Sequence, residues 1–214
     1  MTETSEESLQ KYLISTKLIE SQHQLIVDKA KELTANAVKL EHKARNIFYF
    51  MRDKIRYEFR VKFKEEEYLA SYILETGRGF CTQKAILFCA LARSCGIPAG
   101  IYFYDIIDHS LPAHTVLFMK TRNLYHHGIA ALYLNGTWYK YDATLDIQLT
   151  KRYNFTPVEF FPDRDCLMSA ITLSRSKHIE YTNDYGLHAD VSFEEIISWF
   201  KRGYPHLVEK YSNS

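Results

Sequence analysis

Four cysteines, at positions 81, 89, 95 and 166, are the chain's thiol nucleophile candidates, and Cys81 stands apart by its setting. It lies where the glycine-bearing segment Gly77-Arg-Gly-Phe80 runs into the apolar stretch 82–95, which predicts a helix with Cys81 in its first turn. A helix start offers free backbone N–H groups and the positive end of the macrodipole, and both favour thiolate over thiol. A thiolate nucleophile also needs a base, and the base needs an orienting group. The sequence around Asn135-Gly136 supplies both. Asn-Gly tolerates the positive φ of a type I′ turn, so two strands should meet there as a hairpin. With a two-residue turn, Tyr133 faces Trp138 and Ile129 faces Asp142. His127 then shares a face with Asp142 and lies diagonal to it, roughly 7–8 Å away between backbones, while His126 points to the other face. An imidazole held by a carboxylate keeps its second nitrogen for the thiol. Cys81, His127 and Asp142 therefore read as nucleophile, base and orienter.

The elements that must position these residues follow from periodicity. Residues 1–10 are polar and expected to fray, and 11–214 are expected to form a single domain. Ser21-Gln-His-Gln24 has the pattern of a capping box before a first helix, and Leu40, Ala44, Ile47, Phe48 and Met51 mark a second over about 38–54. Residues 55–60 alternate as a short strand, the charged run 62–67 reads as a solvated loop or helix start, and 68–75 as a short helix. Gly96 and Pro98 stop the nucleophile helix. Strands are expected at 100–104, 114–119, 128–134 and 137–141, and Ser192-Phe-Glu-Glu195 is a capping box opening a closing helix. Helices first, an antiparallel sheet second and a helix last give an α+β class.

Composition bounds the function. The 214 residues are 46% hydrophobic, enough for one core, and Lys+Arg 27 against Asp+Glu 26 leaves a formal charge of +1. No basic field invites nucleic acid, no apolar run reaches the roughly 20 residues of a membrane span, and the acidic start is unlike a secretory signal. A cytoplasmic protein is expected. Cys89 lies about 80° round the helix from Cys81 and two turns away, so a regular helix cannot bridge them. Without a Cys-x-x-Cys pair no metal is expected, and no cofactor. His109 and His114 with Asp105 and Asp108 have no regular ligand spacing and read as a loop lining a cleft. His114 competes with His127 for the role of base, since it too opens an apolar stretch, but only His127 has the spacing to Asp142. Tyr133 and Trp138 read as a cross-strand pair, and Ile196, Ile197, Trp199 and Phe200 as a core stripe.

The run Gly79-Phe-Cys81 leading to Ala90-Leu-Ala-Arg-Ser-Cys-Gly-Ile-Pro-Ala99, the histidine of Tyr125-His-His-Gly128, and Tyr133-Leu-Asn-Gly-Thr-Trp-Tyr-Lys-Tyr-Asp142 together resemble the transglutaminase-like superfamily of cysteine enzymes. The resemblance spans roughly residues 12–165. It implies a papain-like arrangement, with the nucleophile helix packed on a sheet carrying His127 and Asp142. It also implies acyl transfer from a peptide or protein amide through a thioester, to water or to an amine. Hydrolysis is the expected outcome. True transglutamination and an inactive peptide-binding member are the alternatives. The chain departs from the pattern after the histidine: Gly128-Ile-Ala-Ala131 stands where many members have Ala-Trp and a glutamate.

Overall fold

Asn135 (φ 52°) and Gly136 (φ 83°) both adopt the left-handed backbone of a type I′ turn, and the strands they join pair in the register read from the sequence, with Tyr133 opposite Trp138 and Ala130 opposite Tyr141. This is a computed structural model that describes residues 5–60 and 62–207. The hairpin is formed by β4 (Asn123–Leu134) and β5 (Thr137–Tyr141). With β3 (Ala99–Asp108) and β6 (Ile179–His188) it makes an antiparallel sheet of order β5-β4-β3-β6.

Helices α1 (Ser5–Gln10), α2 (Gln24–Thr34), α3 (Leu40–Lys54) and α4 (Ala70–Thr76) precede α5 (Cys81–Ser94), which lies against β3 and β4. Two-residue strands β1 (Arg56–Tyr57) and β2 (Arg78–Gly79) pair in parallel just before α5 and deliver the chain to Cys81. Helix α5 is buried from Thr82 to Arg93 because α2, α3 and α4 cover the side turned from the sheet. Leu87, Phe88 and Leu91 join Ile47, Phe48 and Met51 of α3 and Phe103 of β3 in the larger of two apolar clusters. Each such side chain stabilises the fold by about 1.5–3 kcal/mol on burial. The charges on α5 are met internally: Lys84 Nζ donates to the Ile55 carbonyl at 2.7 Å, and the Arg93 guanidinium donates to the carbonyls of Ile14, Ala99 and Ala189.

Three expectations need correction. The first helix is capped by His23, whose Nδ1 accepts from Leu25 N–H at 3.3 Å, and not by Ser21. Residues 114–119 are not a strand but helix α6 (Ala113–Met119). Both edges of β3 are already paired, by β4 and β6, so no slot remains there, and Pro112 accepts from Thr115 and Val116 N–H to open a helix. The outer face of α6 goes unburied, with Leu117 81% exposed. Strand β6 and helix α7 (Ile147–Arg152) were not anticipated. Finally, Asp105 belongs to β3 and not to a loop: buried, it accepts from His126 N–H, Asn183 Nδ2 and Tyr185 Oη. Helix α8 (Phe193–Gly203) starts at the expected capping box, Ser192 Oγ accepting from Glu195 N–H while Glu195 accepts from Ser192 N–H.

Candidate active site

Cys81 is the first residue of α5. The earliest backbone bond of that helix runs from Lys84 N–H to the Phe80 carbonyl, so the N–H groups of Cys81, Thr82 and Gln83 stand outside the ladder. Gln83 stabilises this start by accepting from Phe80 N–H through Oε1 at 3.1 Å and donating to the Glu67 carbonyl. The Cys81 side chain remains half-buried at the mouth of a small hollow of about 20 Å³.

His127 is buried on β4, and its Nε2 lies 2.8 Å from Asp142 Oδ2, one residue past the end of β5. Asp142 Oδ2 also accepts from Tyr181 Oη at 2.8 Å, and Oδ1 from Thr144 N–H at 3.2 Å. With Nε2 committed to the carboxylate, His127 Nδ1 is left buried and without a hydrogen-bond partner among the described residues. That nitrogen is the one free to serve the thiol, and Cys81 and His127 are close enough to shift each other's ionisation.

The electrostatics single out one thiol. Burial pushes the Cys81 thiol up, but the His127 charge beside it, with the Gly128 backbone amide, outweighs burial and holds the thiol below the ordinary cysteine value. The other three move the opposite way: burial pushes Cys89 up to about 12 and Cys166 to about 11, and Cys95 is also raised. For His127, burial favours the neutral ring, yet Asp142 and Cys81 overcome it and raise the imidazole well above its usual range. For Asp142, burial opposes the charge and His127 more than restores it.

Gly128 explains how the helix start and the histidine strand come together. A Cβ on Gly128 would stand 2.9 Å from the Phe103 ring and 3.2 Å from Thr82 Cα, so any larger residue would wedge α5 away from β4. The departure from the superfamily pattern at this position is therefore a close-approach site in this chain.

His126 lies outside the pair. Between Tyr104↔His127 and Ile106↔Leu124 the β3–β4 register slips, and His126 adopts φ 52° in the bulge. Its ring stacks between Tyr185 (4.3 Å) and Trp199 (4.5 Å), at interplanar angles of 13° and 9°. His114 is exposed on α6, and His109 pairs with Glu180 at 3.1 Å. Among the described residues no group of three or more His, Cys, Asp or Glu is arranged to hold a metal, and no helix is long and apolar enough to cross a membrane.

Sequence reasoning missed Tyr181, which lies on the unanticipated strand β6. It also missed Thr144, although the Asp142-Ala-Thr144 spacing is that of an Asx turn in which a carboxylate accepts the amide two residues on. The α8 stripe is more than core. Ile196 is buried, but Trp199 and Phe200 also wall the hollow at Cys81 together with Tyr204, whose Oη donates to the Asn123 carbonyl and accepts from Tyr125 N–H.

A model of the transglutaminase-like superfamily matches residues 27–143, more than half of the chain and the part that holds all three residues. Among solved structures, a protein from Cytophaga hutchinsonii described as a "Putative Cysteine Protease" is similar over 87% of this chain and 57% of its own, with TM-score 0.52 and 16% identity. This chain thus spans little more than half of that protein, and the likeness is one of fold. A "Putative Protease" from Parabacteroides distasonis matches over 64% of this chain and 26% of its own, with TM-score 0.41 and 14% identity. No significant match is found among curated proteins.

Proposed function

Since the chain belongs to the transglutaminase-like superfamily, we propose that it is a cysteine-dependent acyl-transfer enzyme that hydrolyses an amide of a peptide or protein through a thioester on Cys81. The observation that carries this reading is the buried His127–Asp142 pair with Nδ1 left unpartnered, beside the one thiol whose ionisation is favoured. In the first half-reaction the Cys81 sulfur attacks the amide carbonyl carbon. The carbon–nitrogen bond breaks, and His127 gives its proton to the departing amine. Water then attacks the thioester, His127 takes its proton, and the acid leaves as the thiol is restored. Asp142 keeps the ring oriented and offsets its positive charge, and Tyr181 and the Thr144 amide hold the carboxylate in turn. The Cys81 N–H is the oxyanion donor supported by the helix start.

Intact-mass analysis after incubation with a peptide library tests the proposal. The expected result is an acyl adduct on Cys81 that decays in water. Cys81→Ser should form no thioester adduct, and His127→Ala should cut turnover by at least about 100-fold, the usual scale of general acid–base catalysis. Discharge of the adduct only by an added primary amine would assign the second step to amine transfer instead. Substrate turnover that persists in Cys81→Ser would end the reading.

A further inference from the structure

His127 borders a second cavity of about 250 Å³, far larger than the hollow of about 20 Å³ at Cys81. Tyr57, Phe59 and Leu124 line both, so the two spaces share a wall, with Cys81 on the side of the hollow and His127 on the side of the larger cavity. The larger cavity is walled by Phe59, Ile106, Leu124, Leu149, Phe155 and Met168, from the strands and from the segments around α7 and β6. Ile106, Leu124 and Met168 belong to the smaller apolar cluster of the fold, so the space is a gap in what would otherwise be core. Protein interiors are packed nearly as densely as organic crystals, and an apolar concavity of this size beside reactive groups has the character of a ligand site.

Part of its polar lining is engaged in bonds within the protein. Asp108 Oδ1 accepts from both Ser110 N–H (2.8 Å) and Ser110 Oγ (2.5 Å), and the Thr144 amide is committed to Asp142. Most of the residues lining it are apolar, so what it receives is chiefly apolar. An apolar cavity of about 150 Å³ takes a benzene ring, so this one has room for a ring with several methylenes or for a branched aliphatic chain.

We propose that this cavity is the specificity pocket of the site and receives a large apolar group, aromatic or long aliphatic, carried by the substrate attacked at Cys81. The proposal rests on the reading of Cys81 as nucleophile, and the test keeps the two apart. The full chain is alkylated with iodoacetamide and with its N-methyl, N-butyl and N-hexyl derivatives, and the rate at each cysteine is read by peptide mapping.

Burying a methylene favours binding by about fourfold. The rate at Cys81 should accordingly climb at least tenfold from methyl to hexyl, while the rate at Cys95 stays flat. Leu149→Trp and Thr115→Trp fill the cavity from α7 and α6. Each should abolish the climb, read as the ratio of the hexyl to the plain iodoacetamide rate within the same variant. Thr115 is a half-buried residue of a short surface helix, so that variant keeps the test alive if Leu149→Trp does not fold. A flat series in the wild type, or a climb that survives in the folded tryptophan variants, overturns the proposal.

If plain iodoacetamide does not prefer Cys81, the nucleophile reading fails and the pocket is judged by unreactive N-hexylacetamide. A rise in melting temperature that the tryptophan variants lose supports the pocket. No rise overturns it.

Discussion

Tyr181→Phe is the most informative single-atom change at the site. It removes the hydroxyl that donates to Asp142 Oδ2 at 2.8 Å and leaves the buried carboxylate with His127 and the Thr144 amide. A hydrogen bond to a charged group contributes about 1.5–3 kcal/mol net. The same hydroxyl accepts from Met168 N–H at 3.1 Å, so the amide loses a partner as well. The expected loss of stability at pH 7 is about 2–4 kcal/mol, read by urea unfolding. A cycle with Asp142→Asn should give a coupling of about 1–3 kcal/mol, since the two groups touch.

The pH dependence carries a sign that a mere packing defect would not reproduce. The Asp142 carboxyl titrates below its ordinary value in the fold, so the stability it contributes is present above that ordinary value and is lost as pH falls through the folded one. Weakening the hydrogen bonding of the ionised form moves the folded value up by about one pH unit, because 1.36 kcal/mol corresponds to one unit. The acid limb of the stability profile should therefore start at a higher pH in Tyr181→Phe than in the wild type. Activity at pH 7 should fall only a few-fold, because Asp142 remains ionised there. A loss below about 0.5 kcal/mol, no coupling to Asp142, or an unmoved acid limb would refute the assignment of Tyr181 as the residue that holds the carboxylate.

Gly128→Ala pushes a methyl into the Phe103 ring and Thr82 Cα. It should cost about 1–3 kcal/mol by thermal unfolding and slow the alkylation of Cys81, whereas Ala130→Gly two residues along should leave that rate unchanged. Lys84 is buried on α5 with its ammonium on the Ile55 carbonyl, and burial pushes it down to about 7. A base depressed in the fold binds fewer protons there than when unfolded, so it makes stability rise with pH from about 7 towards its ordinary value. Lys84→Met should remove that rise: relative to wild type it should be about 3–4 kcal/mol less stable at pH 10 than at pH 7, and a difference independent of pH would contradict the assignment.

What the sequence disclosed depended on whether a constraint was local. Asn135-Gly136 dictates its own turn, and once the turn has two residues the alternation of side chains carries His127 and Asp142 to one face. The bulge at His126 lies on the far side of His127 from the turn, so it leaves the pairing of His127 with Asp142 intact. The start of α5 was legible because glycines and an apolar run change character within a few residues. Strand β6 was not, because half of its residues face solvent and it carries no apolar alternation: Glu180, Thr182, Asn183, Asp184 and Tyr185 are exposed. Tyr181 was hidden with it. The run His114–Met119 misled for the converse reason. Its β-branched and aromatic residues suit a strand, but nothing local reveals that β3 has no free edge.

The reactivity of the four thiols tests the central claim most directly. With limiting iodoacetamide at pH 6, mapped by mass spectrometry, Cys81 should be alkylated at least tenfold faster than Cys89, Cys95 or Cys166, because it alone is held below the ordinary thiol value while burial raises the others. His127→Ala should erase that preference and move the half-point of the Cys81 rate profile towards the alkaline side. Equal labelling of Cys81 and Cys95 in the wild type, or a preference for Cys81 that survives the loss of His127, would contradict the account.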